Sequence, residues 1–234
     1  MRPRPAASDR VEPLMTRLRS MPRPVLQRLP QYLWYVREQR EQGVEFVSSR
    51  EIAYSLGITP SCVRQDFTHL KIRGISKRGY KVELLDEVLT GSLAADKEKR
   101  VAIVGAGHLG QSLAVHGGLA RYGFRVCAIL DIKRGVIGRK VGHLTVRSMD
   151  DLPDVVREEQ IDIGLIAVPA ESAQKAADRL ILCGVTGLLN LALTRITARR
   201  DVHVVNSRIV ADLLMLSSVQ AQTGQLEGRR KVDR

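Results

Sequence analysis

The apolar positions in the N-terminal third of the chain recur every three or four residues, a spacing typical of amphipathic helices. The first such segment spans residues 26–42, and Gly43 marks its end. Its apolar positions are Leu29, Leu33 and Val36. This pattern predicts a helix with one buried face.

Two more helices are predicted directly afterwards. Ser48 and Glu51 match a capping box, and Gly57 ends the helix that the box opens. Thr59 then caps another helix, which has Pro60 at its first position, where a missing N–H costs nothing. The apolar positions are Ile52, Ala53 and Leu56 in the first helix, and Val63, Phe67 and Leu70 in the second. Two short helices joined by a tight turn indicate a helix-turn-helix.

From residue 99 onward, short apolar runs alternate with helical segments. The runs are Val101–Val104, Phe124–Leu130, Asp162–Val168, Gly187–Leu191 and Val202–Val205. The segment ESAQKAADRLILCG, which ends on Gly184, is one of the helices between them. Such alternation predicts a parallel sheet covered by helices on both faces. The fold class is therefore α/β, with a Rossmann-like domain following the helical one.

These patterns divide the 234 residues into six parts, and the length is sufficient for two small cores. We predict a flexible basic arm (1–25), a winged helix-turn-helix domain (26–84), a linker (85–98), a Rossmann-like domain (99–205), a C-terminal helix (206–218) and a polar tail (219–234).

The charge of the chain indicates a polyanionic partner. The net charge is +12 and the isoelectric point is near 10.1, which favours nucleic acid through counterion release. Six cations face one acid between Arg64 and Lys81, in a ribbon bent at Gly74 and Gly79. Such a ribbon is suited to a wing that contacts the phosphate backbone. The candidate DNA contacts are Ser61, Arg64, Gln65 and Thr68 on the recognition helix, and Lys71, Arg73, Lys77 and Arg78 in the wing.

The segment VAIVGAGHLGQSL (residues 101–113) predicts a dinucleotide site. A strand runs into three glycines and a helix follows, so that phosphates would lie at the helix N-terminus. The glycines are Gly105, Gly107 and Gly110. Asp131 ends the next strand, 21 residues past Gly110, where it is placed to bond a ribose 2′-OH and so favours NAD(H). The cations Lys133 and Arg134 leave NADP(H) as the alternative.

The chain lacks the signs of an enzyme. A dehydrogenase needs a substrate pocket and an acid–base group against the nicotinamide, and the Rossmann-like part leaves no room for a substrate domain. The five histidines (His69, His108, His116, His143 and His203) form no catalytic set. We therefore predict no catalytic residues and no metal site. A nucleotide pocket joined to a DNA-binding domain indicates a sensor.

The cellular compartment follows from what the chain does not contain. Its cysteines, Cys62, Cys127 and Cys183, are widely spaced and form no CxxC pair, which favours a reducing cytoplasm. No apolar run is long enough to span a bilayer, and the basic N-terminus lacks the apolar core of a signal peptide. We expect a cytoplasmic protein without membrane association.

The order of these motifs resembles that of the Rex family of redox-sensing transcriptional repressors. The resemblance runs from about Arg28 to Ser217, through RLPQYL, GVEFVSSREIAYSLGITPSCVRQDF, GAGHLG, VPAESAQKAAD, GLLNLALT and NSRIVADLLMLSS. It implies a homodimer in which the C-terminal helix, 206–218, is swapped onto the partner. It also implies binding to operator DNA when NAD+ dominates and release when NADH rises. The candidate nucleotide contacts are Gly105, Ala106, Gly107, His108, Leu109, Gly110, His116, Asp131, Lys133, Val168, Pro169 and Asn190.

The sequence departs from the Rex pattern at the positions that couple nicotinamide to DNA binding. Family members use an Arg, a Tyr and an Asp there, and the resemblance implies that Trp34, His116 and Arg208 occupy those positions. The wing segment LKIRG (residues 70–74) also lacks the family's aromatic–glycine pattern. An altered signal is therefore a second hypothesis, through NADP(H) bound by Arg208 and Lys133, a pH response of His116, or oxidation of Cys62.

Two further functions stay open at this point. One is an NAD(P)-dependent oxidoreductase whose N-terminal helices only mediate assembly, although such a domain has no use for clustered cations. The other is an architectural DNA-binding protein that has lost nucleotide sensing, which the intact glycine loop and Asp131 disfavour.

Overall fold

The computed structural model describes residues 21–207 and 209–232, with side chains up to residue 221. The chain divides into two compact units, Met1–Lys97 and Glu98–Arg234. Most of the predicted basic arm, residue Arg208 and the end of the predicted tail lie outside the described residues.

The N-terminal unit is a winged helix-turn-helix, as predicted. Its elements are α1 (Arg23–Glu41), β1 (Phe46–Val47), α2 (Ser49–Leu56), α3 (Pro60–His69), β2 (Tyr80–Lys81) and α4 (Val82–Ser92). The strands β1 and β2 pair antiparallel, and a bridge between Ile75 and Gly79 closes the wing loop. The predicted apolar face of α1 is buried, and it packs in one core with those of α2 and α3.

Local capping determines where α2 and α3 begin. The Ser48 hydroxyl accepts a hydrogen bond from the Glu51 amide at 3.2 Å, and the Glu51 carboxylate accepts one from the Ser48 amide at 2.6 Å. The bond from the Ser48 amide lowers the pKa of the Glu51 carboxyl. Gly57 ends α2 with φ of +65°, and the Thr59 hydroxyl caps α3 by accepting from the Cys62 amide. Both predicted caps are confirmed.

Two predicted boundaries of this unit are wrong. Helix α1 begins at Arg23, and Met21 and Val25 are buried, so the arm does not extend to residue 25. The predicted linker, 85–98, is helical up to Ser92, and Leu85 and Leu89 are fully buried. The polar residues around these leucines made the segment look like a linker in the sequence. Its apolar face packs against α1, and this tertiary burial stabilises the helix.

The C-terminal unit is Rossmann-like. Its strands are β3 (Lys99–Val104), β4 (Phe124–Asp131), β5 (Lys140–Val141), β6 (Leu144–Ser148), β7 (Ile163–Ile166), β8 (Gly187–Asn190) and β9 (His203–Asn206). Its helices are α5 (His108–Ala114), α6 (Leu152–Glu158), α7 (Ala170–Leu182) and α8 (Ile209–Val232), with 3₁₀ turns at Ala120–Tyr122 and Met149–Asp151. The sheet order is β5-β6-β4-β3-β7-β8-β9, and only the β5–β6 pair is antiparallel.

Three features of this unit differ from the sequence prediction. The hairpin of β5 and β6 was not predicted, because β5 has only two residues and its pattern is too short to detect. The last strand extends to Asn206, one residue past the predicted domain end. Helix α8 continues to Val232, so the segment predicted as a polar tail from residue 219 is helical. Gln, Glu, Arg and Lys are good helix formers, and a polar composition does not end a helix.

Within the described part of the chain, no helix is both long and apolar enough to cross a membrane.

Candidate nucleic-acid interface and nucleotide site

The recognition helix α3 presents its predicted polar face to solvent. Val63 and Phe67 are buried, which turns the opposite face outward. The four predicted DNA contacts on this helix are all exposed: Ser61, Arg64, Gln65 and Thr68. The Thr68 hydroxyl donates to the Arg64 carbonyl at 2.9 Å, so only its acceptor capacity is left for a base or phosphate.

Arg64 is held at two points on this face. Its Nη1 donates to the Ser49 hydroxyl at 3.2 Å, and its Nη2 donates to the Ser61 hydroxyl at 3.1 Å. Ser49 is the first residue of α2, so the guanidinium connects the two helices of the helix-turn-helix. The sequence did not indicate Ser49, because the contact joins residues 15 positions apart.

The wing carries its cations on an exposed loop. All four predicted residues, Lys71, Arg73, Lys77 and Arg78, are exposed. Among the described residues, none of these four forms an ion pair with a carboxylate. The guanidinium carbon of Arg78 lies 4.5 Å from the centre of the Phe46 ring, a cation–π contact. The positive charge of the wing is therefore not neutralised by carboxylates, and the Phe46 ring holds one of its cations, Arg78, in place.

A buried carboxylate anchors α3 to α1. Asp66 is only 1% exposed, and Arg28 donates to its two oxygens at 2.6 and 2.8 Å. The Tyr32 hydroxyl donates to the same carboxylate at 2.6 Å. Burial and the bond to Asp66 raise the pKa of Tyr32, and the bond to Asp66 raises the pKa of Arg28. The sequence shows Asp66 only as the one acid between Arg64 and Lys81, because its contacts with Arg28 and Tyr32 join residues 38 and 34 positions apart.

Cys62, the residue hypothesised to sense oxidation, is half-buried near the start of α3 and forms no disulfide. Its role stays a hypothesis.

The glycine loop of the C-terminal unit has the predicted geometry. Gly105 follows β3 with φ of +107°, and a Cβ there would lie 2.4 Å from the Ala167 carbonyl oxygen. A Cβ on Gly110 would lie 1.9 Å from the carbonyl oxygen of Gly105, so this glycine permits close packing of helix against loop. A Cβ on Gly107 would meet nothing within 4 Å, which leaves open space at the N-terminus of α5.

Asp131 fixes the glycine loop as well as ending β4. One carboxylate oxygen accepts from the Ala106 amide at 2.7 Å, and the other accepts from the Lys133 amide at 2.8 Å. Gln111 holds the same loop by donating to the Ala106 carbonyl at 2.6 Å. A carboxylate has about four lone-pair sites, so Asp131 retains capacity for a ribose hydroxyl.

The other predicted nucleotide contacts occupy different environments. His108 and Leu109 are exposed in the first turn of α5, and Lys133 is exposed just after β4. Val168 and Pro169 follow β7, at the edge where the carboxyl ends of the parallel strands meet. His116, which is also one of the predicted coupling positions, is exposed two residues past the end of α5. Trp34, the coupling position on α1, is 67% exposed.

Asn190 differs from these residues because its side chain is turned into the protein. It is fully buried and donates to the Thr194 carbonyl at 2.7 Å and to the Asn206 side chain at 2.9 Å. Its own oxygen accepts from the Ala192 amide at 3.1 Å. With both donors used and no exposure, Asn190 shapes the loop after β8, and a direct nucleotide contact would require that loop to rearrange.

In the part of the chain that the structure describes, no group of three or more His, Cys, Asp or Glu side chains is arranged to hold a metal ion.

Two protein-family models match the chain. A model described as a putative DNA-binding protein N-terminus matches residues 20–68, and one described as a CoA binding domain matches residues 96–194. Their positions agree with the two units of the fold.

Many curated relatives carry the name redox-sensing transcriptional repressor Rex. The protein from Streptomyces coelicolor is 36% identical over 211 residues, which cover 90% of this chain and 82% of the relative. The protein from Clostridium tetani is 34% identical over 203 residues, covering 87% of this chain and 96% of the relative. The likeness therefore extends through both units.

Solved structures lead to the same family. RSP, a Rex-family repressor, superposes with a TM-score of 0.80 at 30% identity, covering 90% of this chain and 98% of RSP. Two further structures with the same TM-score and identity show RSP with beta-NADH, covering 88% of this chain, and RSP with beta-NAD+ and operator DNA, covering 90%. In each case 97% of the RSP chain is covered.

Proposed function

Since this chain belongs to the Rex family of redox-sensing transcriptional repressors, we propose that it binds operator DNA through α3 and the wing and releases it when NADH binds the Rossmann-like unit. The observation that carries the proposal is the likeness to RSP, which binds beta-NADH, and beta-NAD+ together with operator DNA. The relatives are transcriptional repressors, which confirms the expectation of a sensor and not an enzyme.

The nucleotide roles follow from the loop geometry. The phosphates of NAD(H) would lie against the N-terminus of α5, where Gly107 leaves room for close approach. Asp131 would bond the ribose with the lone pairs that the loop amides leave free. Its negative charge disfavours a 2′-phosphate, so NAD(H) is the proposed ligand, and NADP(H) is the competing ligand to be tested.

The DNA roles follow from exposure and charge. Arg64 and Gln65 would read base edges from α3, because both are exposed on the recognition helix. The wing cations would contact phosphates, and they determine orientation more than sequence choice. As a repressor acts where its operator is found, the cytoplasm is the proposed location.

The titration that tests this function measures nucleotide and DNA binding in one system. We expect NADH to weaken operator affinity by about 5- to 150-fold, the usual range of allosteric coupling, whereas NAD+ leaves it unchanged. The same titration with NADPH and NADP+ tests the alternative ligand, because the coupling positions Trp34 and His116 differ from the family pattern. Equal operator affinity with all four nucleotides would contradict redox sensing.

Arg78→Ala should weaken operator binding, because it removes a wing cation. It should also reduce the salt slope, which is the slope of log affinity against log salt concentration, by about one per phosphate contact removed.

We also propose that the chain is a homodimer formed through α8. The described part of this helix exposes a run of large apolar side chains: Ile209, Val210, Leu213, Leu214, Met215, Leu216 and Val219. Light scattering should give twice the chain mass of 26.0 kDa. Replacing both Leu213 and Leu214 with Ser should halve that mass, and Ser217→Ala is the matched control on the same helix. A wild-type monomer would contradict the proposal.

A further inference from the structure

Two arginines of the DNA-facing surface lie against one short uncharged segment, residues 46–49. Arg64, from α3, donates to the Ser49 hydroxyl at 3.2 Å. Arg78, from the wing, stacks on the Phe46 ring with 4.5 Å between the guanidinium carbon and the ring centre. The two cations come from different elements, and the segment that contacts both contributes no charge of its own.

The backbone of this segment is fixed from two sides. In the strand register, Phe46 is opposite Lys81 and Val47 is opposite Tyr80. The wing also packs directly on it, because a Cβ on Gly79 would lie only 2.4 Å from the Val47 carbonyl oxygen. On the other side, the capping box at Ser48 fixes the start of α2. The segment is therefore a firm base for side chains that lie on it.

Holding an arginine in this way favours binding without using up its donors. A free arginine side chain loses rotamer entropy when it contacts DNA, and an arginine that is already held loses less. A guanidinium has five N–H donors, and Ser49 and Ser61 occupy two of those on Arg64. A ring face occupies none, so Arg78 keeps all of its donors for DNA.

We propose that residues 46–49 form a shared support that positions Arg64 and Arg78 for operator recognition. This rests on the proposed function, and it makes Ser49 and Phe46 positioning residues that influence affinity without touching DNA. One base for both arginines also determines the spacing between the recognition helix and the wing, so the support contributes to the choice of operator.

The test uses the full chain with NAD+ and a duplex that the wild-type protein selects from a random pool. Ser49→Ala and Phe46→Leu should each weaken binding to this duplex by about 2- to 10-fold, the loss expected from one unheld side chain. The salt slope should stay unchanged in both variants, because no charge is removed. Ser49→Ala should leave binding to unselected DNA unchanged, because Arg64 reads base edges, whereas Phe46→Leu should weaken binding to selected and unselected DNA alike, because Arg78 contacts phosphates. Ser49→Thr and Phe46→Tyr should restore affinity. Ser55→Ala and Tyr54→Leu, on the exposed face of α2, are the matched controls.

Double-mutant cycles then separate positioning from a general structural role. If Ser49 acts through Arg64, adding Ser49→Ala to Arg64→Ala causes no further loss, and Phe46→Leu behaves likewise with Arg78→Ala. The proposal would be overturned if the affinity losses of the single variants add in the double variants, or if both Ser49→Ala and Phe46→Leu bind the operator as tightly as wild type. Should Phe46→Leu fold poorly, Arg78→Lys keeps the charge, removes the planar stacking, and should give the same loss.

Failure of the support is distinguishable from failure of the function. A wild-type chain that selects no duplex in the presence of NAD+ would overturn both. A wild-type chain that binds and responds to NADH, with additive cycles, would overturn the support alone.

Discussion

Gly110→Ala is expected to destabilise the C-terminal unit strongly, whereas Gly107→Ala should weaken nucleotide binding and leave the stability of the unit unchanged. The added methyl group at residue 110 would lie 1.9 Å from the Gly105 carbonyl oxygen, and backbone cannot move aside as a side chain would. Overpacking of this kind costs about 3 kcal/mol or more. That is a large part of a total stability of about 5–15 kcal/mol.

At Gly107 the methyl group meets no protein atom, and φ of −74° suits any residue. It would instead occupy space that the pyrophosphate needs, at the N-terminus of α5. Losing one charge-assisted hydrogen bond there costs about 1.5–3 kcal/mol, so NADH affinity should fall about 10- to 150-fold while the fold stays intact.

Thermal unfolding and NADH titration of both variants separate the two effects. Gly135→Ala is the control, because residue 135 is exposed, its Cβ would meet nothing within 4 Å, and its φ is not in the left-handed region. Unchanged NADH affinity in Gly107→Ala would place the phosphates elsewhere. A fully stable Gly110→Ala would contradict the close packing of α5 on the loop.

The strand–loop–helix turn that contains these glycines was correctly predicted from the sequence, and so were the caps at Ser48 and Thr59. In each case the physical cause is local, since a turn, a cap or a close approach depends on residues within a few positions of each other. The position of Asp131 at the end of β4 was also predicted, because the strands of a parallel sheet end at one edge. That its carboxylate also holds the Ala106 amide was not, since the sequence gives no orientation of a side chain.

What the sequence did not reveal depends on tertiary packing. Leu85 and Leu89 were predicted to lie in a linker, but in the structure both are buried against α1. Asn190 stays a predicted nucleotide contact, but the sequence did not show that its side chain bonds the Thr194 carbonyl and the side-chain oxygen of Asn206, 16 residues away. The contact between Arg78 and Phe46 likewise joins two segments that only the wing brings together.

Asp66→Ala is expected to unfold much of the N-terminal unit, because it removes the one carboxylate that satisfies both Arg28 and Tyr32. Breaking a buried ion pair by deleting one partner costs about 3–5 kcal/mol, and the lower end applies here, because the Arg28 side chain is 24% exposed and water solvates part of its charge. Tyr32 is fully buried, so its hydroxyl would lose its acceptor with no access to water. Arg28→Ala should cost less, because Tyr32 still donates to Asp66.

Urea unfolding followed by tryptophan fluorescence measures this loss selectively. The chain has a single tryptophan, Trp34, which lies on α1 in the N-terminal unit. Glu87→Ala, at an exposed acid on α4, is the control and should leave the unfolding midpoint unchanged. Operator binding should be lost in Asp66→Ala, because α3 loses its anchor, while NADH binding to the other unit persists.

An unfolding midpoint for Asp66→Ala that matches wild type would contradict this prediction, because it would mean that water compensates the Arg28 charge and the Tyr32 hydroxyl once the carboxylate is removed. The double variant Arg28→Met with Asp66→Leu tests whether the unpaired Arg28 charge causes the loss of stability. Replacing both charges with apolar groups avoids the unpaired charge, so this variant should recover the part of the stability loss that is due to Arg28. The part due to the unsatisfied Tyr32 hydroxyl should stay lost. If it recovers stability without operator binding, the network serves to orient α3 rather than to stabilise the fold.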